Sequence, residues 1–135
     1  MKHTCFRKRI IDNIAVAVVS IGLICLFIAA NHSIRSLSGE LIFAAEGTID
    51  AIFREDWEDA ILLMEGSSRR FAEKKERLML FMNHEAIADL EISLNGSLQL
   101  ARAHDDAQIL LELESVIIKS AALRSVEQLR LFTLF

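Results

Sequence analysis

An uncharged apolar run near the N-terminus constrains this chain more than any other feature. Residues 14–30 read IAVAVVSIGLICLFIAA, seventeen residues interrupted only by Ser20 and Gly22. As a helix this run is about 25 Å long at 1.5 Å per residue, close to the roughly 30 Å that a bilayer core requires. Together with Ile10 and Ile11 it predicts a transmembrane helix over residues 10–30.

The charges on either side of this helix predict its orientation. A basic head, residues 1–9, precedes it with Lys2, Arg7, Lys8 and Arg9, so residues 1–30 carry a net charge of +3. Eleven basic and eighteen acidic residues follow in 31–135, a net charge of −7. Basic residues stay on the cytoplasmic side. We therefore expect a cytoplasmic N-terminus, an extracytoplasmic C-terminal domain and no nucleic-acid partner, because nucleic-acid binding needs a basic surface.

Two alternatives to an uncleaved anchor remain open. A secretory signal peptide has the same basic and apolar layout, and cleavage after Ala30 would release the C-terminal domain. A buried core helix is the second alternative, although the run has no polar face. The run is longer than the 7–15 residues usual for a signal peptide, which favours the signal-anchor.

The C-terminal domain, residues 31–135, has a helical pattern throughout. The whole chain contains no proline and no tyrosine and only five glycines, so it has few residues that end helices. Apolar residues recur at intervals of three and four in four segments. Their stripes are Ile34–Leu37–Leu41–Ala45–Thr48–Ile52, Trp57–Ile61–Met64–Ser68–Phe71–Lys75–Leu78–Met82, Ile87–Leu90–Leu94–Leu98–Ala101 and Leu110–Leu113–Ile117–Ala121.

Turn and capping residues separate these stripes. Asp56 and Asp105 are expected to cap the helices that follow them, because a carboxylate there accepts from exposed amides of the first turn. Asn83, His84 and Glu85 mark a third turn.

The domain resembles itself at an offset of 49 residues. At this offset six pairs align, namely Leu41 with Leu90, Gly47 with Gly96, Ile49 with Leu98, Asp56 with Asp105, Leu62 with Leu111 and Glu65 with Glu114. The repeat predicts two αα-hairpins, about 36–82 and 84–122, followed by a C-terminal tail 123–135. The expected fold class is therefore all-α, an N-terminal transmembrane helix followed by a small bundle of two stacked αα-hairpins.

A basic run in the second helix of the domain and its single tryptophan are candidate interaction residues. The run contains Arg69, Arg70, Lys74, Lys75 and Arg77. Interleaved acidic residues predict the helical ion pairs Glu65–Arg69 and Glu73–Arg77, and hence a solvated face. The alternative is an anionic partner such as a lipid headgroup or an envelope polymer. Trp57 is expected to pack in the core, with an interaction anchor as its alternative.

Two histidine–carboxylate clusters are the only residues with the chemistry of a metal or catalytic site. These are His84-Glu85 and His104-Asp105-Asp106. A metal would need three convergent ligands, yet the domain has no HExxH spacing and no cysteine. Both clusters lie at predicted turns, so we expect capping roles, with no metal and no cofactor.

Several short motifs from Glu55 onward form a recognisable order. They are Asp56-Trp57 with Ala60, His84-Glu85 followed by Ile87 and Leu90, Asp105, and the C-terminal Leu131–Phe135. In these motifs the chain resembles the domain of unknown function family 4363 of small single-pass bacterial membrane proteins. Members of that family tend to have further tryptophans in the helix after Asp-Trp, and this chain instead has Phe71 and Phe81 near those places. The resemblance implies an anchor and an all-helical extracytoplasmic domain, and it implies no activity.

The function expected from these features is that of a membrane-anchored, non-catalytic interaction or adaptor protein. The expected partner is another membrane or envelope protein, and a homo-oligomer is left open. Trp57, Arg69, Arg70, Lys74, Arg77, His84 and Glu85 are the candidate contact residues. The alternative is a sensor, in which a ligand between the hairpins changes the tilt of the anchor helix. A metal-dependent enzyme ranks third, because it requires His84 and His104 to converge.

Overall fold

The described residues are helical almost throughout, as the sequence predicts, but they form four helices where five were expected. The expected transmembrane helix over residues 10–30 and the first stripe of the domain belong to one continuous helix. The computed structural model describes the backbone of residues 2–134 and the side chains of residues 11–125. The helices are α1 (Lys2–Phe53), α2 (Trp57–Met79), α3 (His84–Arg102) and α4 (Asp106–Leu134). The chain divides into two compact units, Met1–Ser33 and Ile34–Phe135. The side chains of the basic head and of Leu131–Phe135, on which two expectations rest, lie outside the described residues.

The first unit consists of the N-terminal part of α1. Every side chain from Ile11 to Ala29 is exposed, and Asp12 is the only charged one among them. Isoleucines and valines such as Ile14 and Val16 are 57% and 65% exposed. This stretch of α1 is long and apolar enough to cross a membrane.

The second unit contains the rest of α1 and the three other helices around one core. Helix α3 packs against both α2 and α4. Residues 34–53 of α1 reach α4 through Ser38, whose hydroxyl donates to the Ser120 carbonyl at 2.6 Å. The same part of α1 reaches α2 at Gly47, where an added Cβ would lie 3.4 Å from Leu63 Cδ1. The four helices therefore enclose a shared interior.

The predicted stripes supply most of this core. Buried side chains from each of the first three stripes include Leu41, Met64 and Leu90. In α2 the buried residues include Ala60 and Ser67, whereas the predicted Ile61 and Ser68 beside them are only partly buried. In α4 Leu113 is buried as predicted, but the rest of the predicted stripe is displaced by one position. The buried residues are Ile109, Leu113, Val116, Ser120 and Leu123, whereas Ala121 is exposed and Leu110 and Ile117 are only partly buried. Helix α4 is apolar on more than one side, so periodicity alone does not identify its core face.

Helix α4 also continues beyond its predicted end. We expected the last hairpin to end near residue 122 and a tail to follow. The helix instead runs to Leu134. The absence of glycine and proline after residue 122 leaves nothing in the sequence to stop it.

Candidate functional site

The two turns between α1 and α2 and between α3 and α4 have the same structure. Glu55 and His104 adopt left-handed backbone conformations with φ of 59° and 53°. The next residue in each turn caps the following helix. The carboxylate of Asp56 accepts from the Asp59 amide, and that of Asp105 accepts from the Gln108 amide, each at 3.1 Å. Both predicted N-caps are confirmed.

The backbone hydrogen bonds of these turns also match at the 49-residue offset. The Asp56 amide donates to the Ala51 carbonyl at 2.9 Å, and the Asp105 amide donates to the Leu100 carbonyl at 3.1 Å. Such a bond spanning a left-handed residue satisfies carbonyls that a helix end would leave unpaired. The sequence similarity at this offset is therefore accompanied by the same local geometry.

Trp57 joins the two turns. Its indole stacks on the imidazole of His104 with ring centroids 4.8 Å apart and planes 9° apart. Trp57 is half-buried and packs against the core, whereas His104 is exposed. The stack covers one face of the indole and so leaves Trp57 less available as an anchor for a partner.

The basic run on α2 is partly neutralised by α1 and α3. Arg70 and Lys74 each lie 3.8 Å from the carboxylate of Glu40 on α1. Lys75 pairs with Glu91 of α3. These side chains are partly or largely solvent-exposed, so each pair contributes little to stability.

Both predicted ion pairs within α2 are wrong, because among the described side chains neither Glu65 and Arg69 nor Glu73 and Arg77 form an ion pair. We expected Glu65 to pair with Arg69 one turn later. Its carboxylate instead lies 2.7 Å from the Arg102 guanidinium of α3. Arg69 and Arg77 are exposed on α2. A basic residue on a neighbouring helix can lie as close to a carboxylate as the residue four positions later in the same helix. The spacing of charges along the sequence does not reveal such a partner.

His84 and Glu85 lie at the far end of α3 from His104. His84 is the first residue of α3, and the side chain of Asn83 caps that helix by accepting from the Glu85 amide at 3.0 Å. Twenty residues of mostly helical chain separate His84 from His104, about 30 Å at 1.5 Å per residue. The two histidines therefore lie near opposite ends of α3 and do not converge. Among the residues whose side chains are described, no three metal-ligating groups lie together.

Exposed apolar residues of the domain were missed as candidates in the sequence. The most exposed are Phe43, Phe53, Leu62, Leu80, Ile92, Leu111 and Ile118. Phe43 corresponds to Ile92 and Leu62 to Leu111 at the 49-residue offset. The available signal in the sequence was an apolar residue outside the core stripe of its helix, recurring at the 49-residue offset.

Comparison with protein-family models, with curated proteins and with solved structures finds no match for this chain. The geometry of the chain's own residues is therefore the basis for its functional interpretation.

Proposed function

We propose that the chain is a single-pass membrane protein with a cytoplasmic N-terminus and an extracytoplasmic helical domain. The observation that carries this proposal is the continuous exposure of apolar side chains from Ile11 to Ala29. Apolar surface costs roughly 25 cal/mol per Å² in water, and a bilayer removes that cost. The preceding basic residues support the orientation through the positive-inside rule. The resemblance to the family described above supports the same arrangement.

The domain outside the membrane consists, in this proposal, of two αα-hairpins that repeat one structural unit. The first hairpin comprises residues 34–53 of α1 with α2, and the second comprises α3 with α4. Their matching turns and caps support this arrangement. Stacked helical hairpins of this kind serve widely as binding scaffolds.

The domain acts as a non-catalytic adaptor for another membrane or envelope protein. Its exposed aromatic residues support this role. Phe43 and Phe53 on α1 are 76% and 75% exposed. Exposed aromatic side chains are frequent anchors of protein interfaces, because they bury a large area at low entropic cost.

A topology experiment tests the membrane arrangement. A reporter enzyme that is active only outside the cytoplasm, fused after Phe135, is expected to be active. A silent fusion, together with an active cytoplasmic reporter at the same place, would contradict the orientation. Carbonate extraction distinguishes an anchor from cleavage. The anchored protein stays in the membrane, whereas a chain cleaved after Ala30 washes off and begins at Asn31.

Site-specific photo-crosslinking tests the adaptor role. A photoreactive amino acid at Phe43 is expected to yield one reproducible adduct in living cells, identified by mass spectrometry. The matched control places the same amino acid at Asn95, an exposed polar position on α3. Equal adducts at both positions, or none at Phe43, would contradict a specific contact at this surface.

A further inference from the structure

The outward face of α4 carries an uncharged seam. Its members are Leu111, Ser115, Ile118, Ala122 and Ser125, which follow one another at intervals of four and three. Leu111 and Ile118 are 71% and 61% exposed, although both are large and apolar. This spacing is that of the contact positions in a two-stranded coiled coil. The seam therefore has the pattern of a helix that packs against another helix.

The repeat provides an internal comparison for this seam. The equivalent residues of α2, 49 positions earlier, are Leu62, Gly66, Arg69, Glu73 and Glu76. Three of these five are charged, and that face is solvated without an apolar seam. The shared fold consequently does not require apolar residues at these positions. Leu62 is exposed like Leu111, so the difference lies at Ile118 and Ala122, where α2 has Arg69 and Glu73. The two apolar residues on α4 call for a separate explanation.

We propose that the seam binds α4 of a second copy of this chain, parallel and in register. Ile118 then packs against Ile118 of the second copy. Along the interface, the short side chains of Ser115 and Ala122 alternate with the larger Leu111 and Ile118. They allow the two helices to approach closely. The seam spans fifteen residues, about 22 Å of helix. An interface of this size is below the standard size for stable complexes, so the dimer is reversible.

Charges at the two edges of the seam are complementary in this alignment. Glu114 flanks one edge and Lys119 the other, five residues later. In a parallel coiled coil, a residue at one edge faces the residue five positions later at the opposite edge of the other helix. Glu114 of each copy therefore lies beside Lys119 of the other copy. The Lys119 ammonium donates to Ser93 Oγ at 2.7 Å and to the Asp89 carbonyl at 3.4 Å, which holds its head near α3. One proton remains for the second copy's carboxylate.

Dimerisation through the seam does not require the membrane anchor, because the seam lies wholly within α4. Its failure is therefore distinguishable from failure of the proposed function. A chain that is anchored and monomeric would contradict only the dimer. A chain that dimerises but is cleaved after Ala30 would contradict only the anchor.

Disulfide crosslinking tests the parallel register. The full chain is prepared in detergent with Cys5→Ser and Cys25→Ser, and Ser115→Cys or Ala122→Cys is then introduced. Both variants are expected to form covalent dimers on oxidation, because a parallel alignment brings each position against its own copy. An antiparallel pair could do this at one position only. Crosslinking at neither position, at one alone, or equally in the control Asn95→Cys would overturn the proposal.

A charge introduced into the seam tests its energetic role. Ile118→Glu is expected to raise the dimer dissociation constant at least about tenfold, because it buries an unpaired carboxylate at the interface. The matched control is Ile92→Glu on α3, where the isoleucine is 68% exposed. It is expected to leave the constant within about twofold. Analytical ultracentrifugation in detergent measures both, and circular dichroism checks that they fold. A monomeric wild-type chain, or an equal effect of the two variants, would overturn the proposal.

Discussion

The ring of His104, in the turn after α3, stacks on the ring of Trp57, the first residue of α2. The centroids are 4.8 Å apart, and His104 holds this position in a left-handed backbone conformation with φ of 53°. The turn after α3 is thereby tied to the start of α2. His104 affects the free energy of unfolding in two opposite ways. The stack stabilises the fold, whereas the left-handed backbone costs about 1–2 kcal/mol for a non-glycine residue.

Substitutions at His104 separate these two contributions. His104→Ala is expected to destabilise a fragment of residues 31–135 by about 1 kcal/mol, because it removes the stack and keeps the backbone strain. His104→Gly loses the same stack but relieves the strain, so its stability is expected to stay within about 0.5 kcal/mol of wild type. Urea unfolding followed by fluorescence of Trp57, the only tryptophan, measures both. Equal losses in the two variants would contradict the assignment of strain.

Glu55 is the control for that experiment. It has the same backbone conformation with φ of 59° in the equivalent turn. Glu55→Gly is therefore expected to stabilise the fragment by up to about 1 kcal/mol. A destabilised variant would show that the Glu55 side chain contributes more than its backbone strain costs.

The two N-caps are expected to contribute similarly to stability. Asp56→Ala and Asp105→Ala each remove an acceptor for a first-turn amide at 3.1 Å. Each loss is expected to cost about 1 kcal/mol. The neighbouring Asp106→Ala keeps the cap and loses only a favourable charge near the helix N-terminus, so it is expected to cost about 0.5 kcal/mol or less. Unchanged melting temperatures for both cap variants would contradict these roles.

Helices α1 and α4 approach closely at the buried hydrogen bond between Ser38 and Ser120, which leaves little room for a larger side chain at residue 38. Ser38 Oγ lies 2.6 Å from the Ser120 carbonyl, and Ser38 is fully buried. Ser38→Ala is expected to cost about 1 kcal/mol through loss of this bond. Ser38→Ile is expected to cost about 1–3 kcal/mol, because the larger side chain overpacks the contact. Calorimetry on the same fragment measures both, and an isoleucine variant as stable as wild type would contradict the close approach.

Double-mutant cycles test whether Glu65 pairs with Arg102 of α3 or with Arg69, four positions later in α2. A double-mutant cycle with Arg102 is expected to give a coupling free energy of about 0.5 kcal/mol, the usual value for exposed pairs. A cycle between Glu65 and Arg69 is expected to give nearly zero. Urea unfolding of the alanine variants measures both cycles. A larger coupling free energy with Arg69 than with Arg102 would show that Glu65 pairs within α2.

Elements governed by local chemistry could be predicted from the sequence. The helical class, the turns and the caps at Asp56 and Asp105 follow from residues within a few positions of one another. The stripes of α1 and α3 also follow, because each of these helices has one predominantly apolar face in the domain. The stripe of α2 follows in part, since Met64, Phe71 and Leu78 are buried as predicted. The apolar run before residue 31 is a local property as well. In each case the physical cause acts over one or two helical turns.

Contacts between distant segments were decided by the tertiary structure alone. The partner of Glu65, the stack of His104 on Trp57 and the hydrogen bond from Ser38 to Ser120 join residues 37 to 82 positions apart. The core face of α4 belongs to the same group. Leucine and isoleucine occur on two sides of that helix, so neighbouring helices select the face centred on Leu113 and leave Leu111 and Ile118 outside. Packing makes this choice because burial depends on what surrounds a helix and not on its own periodicity.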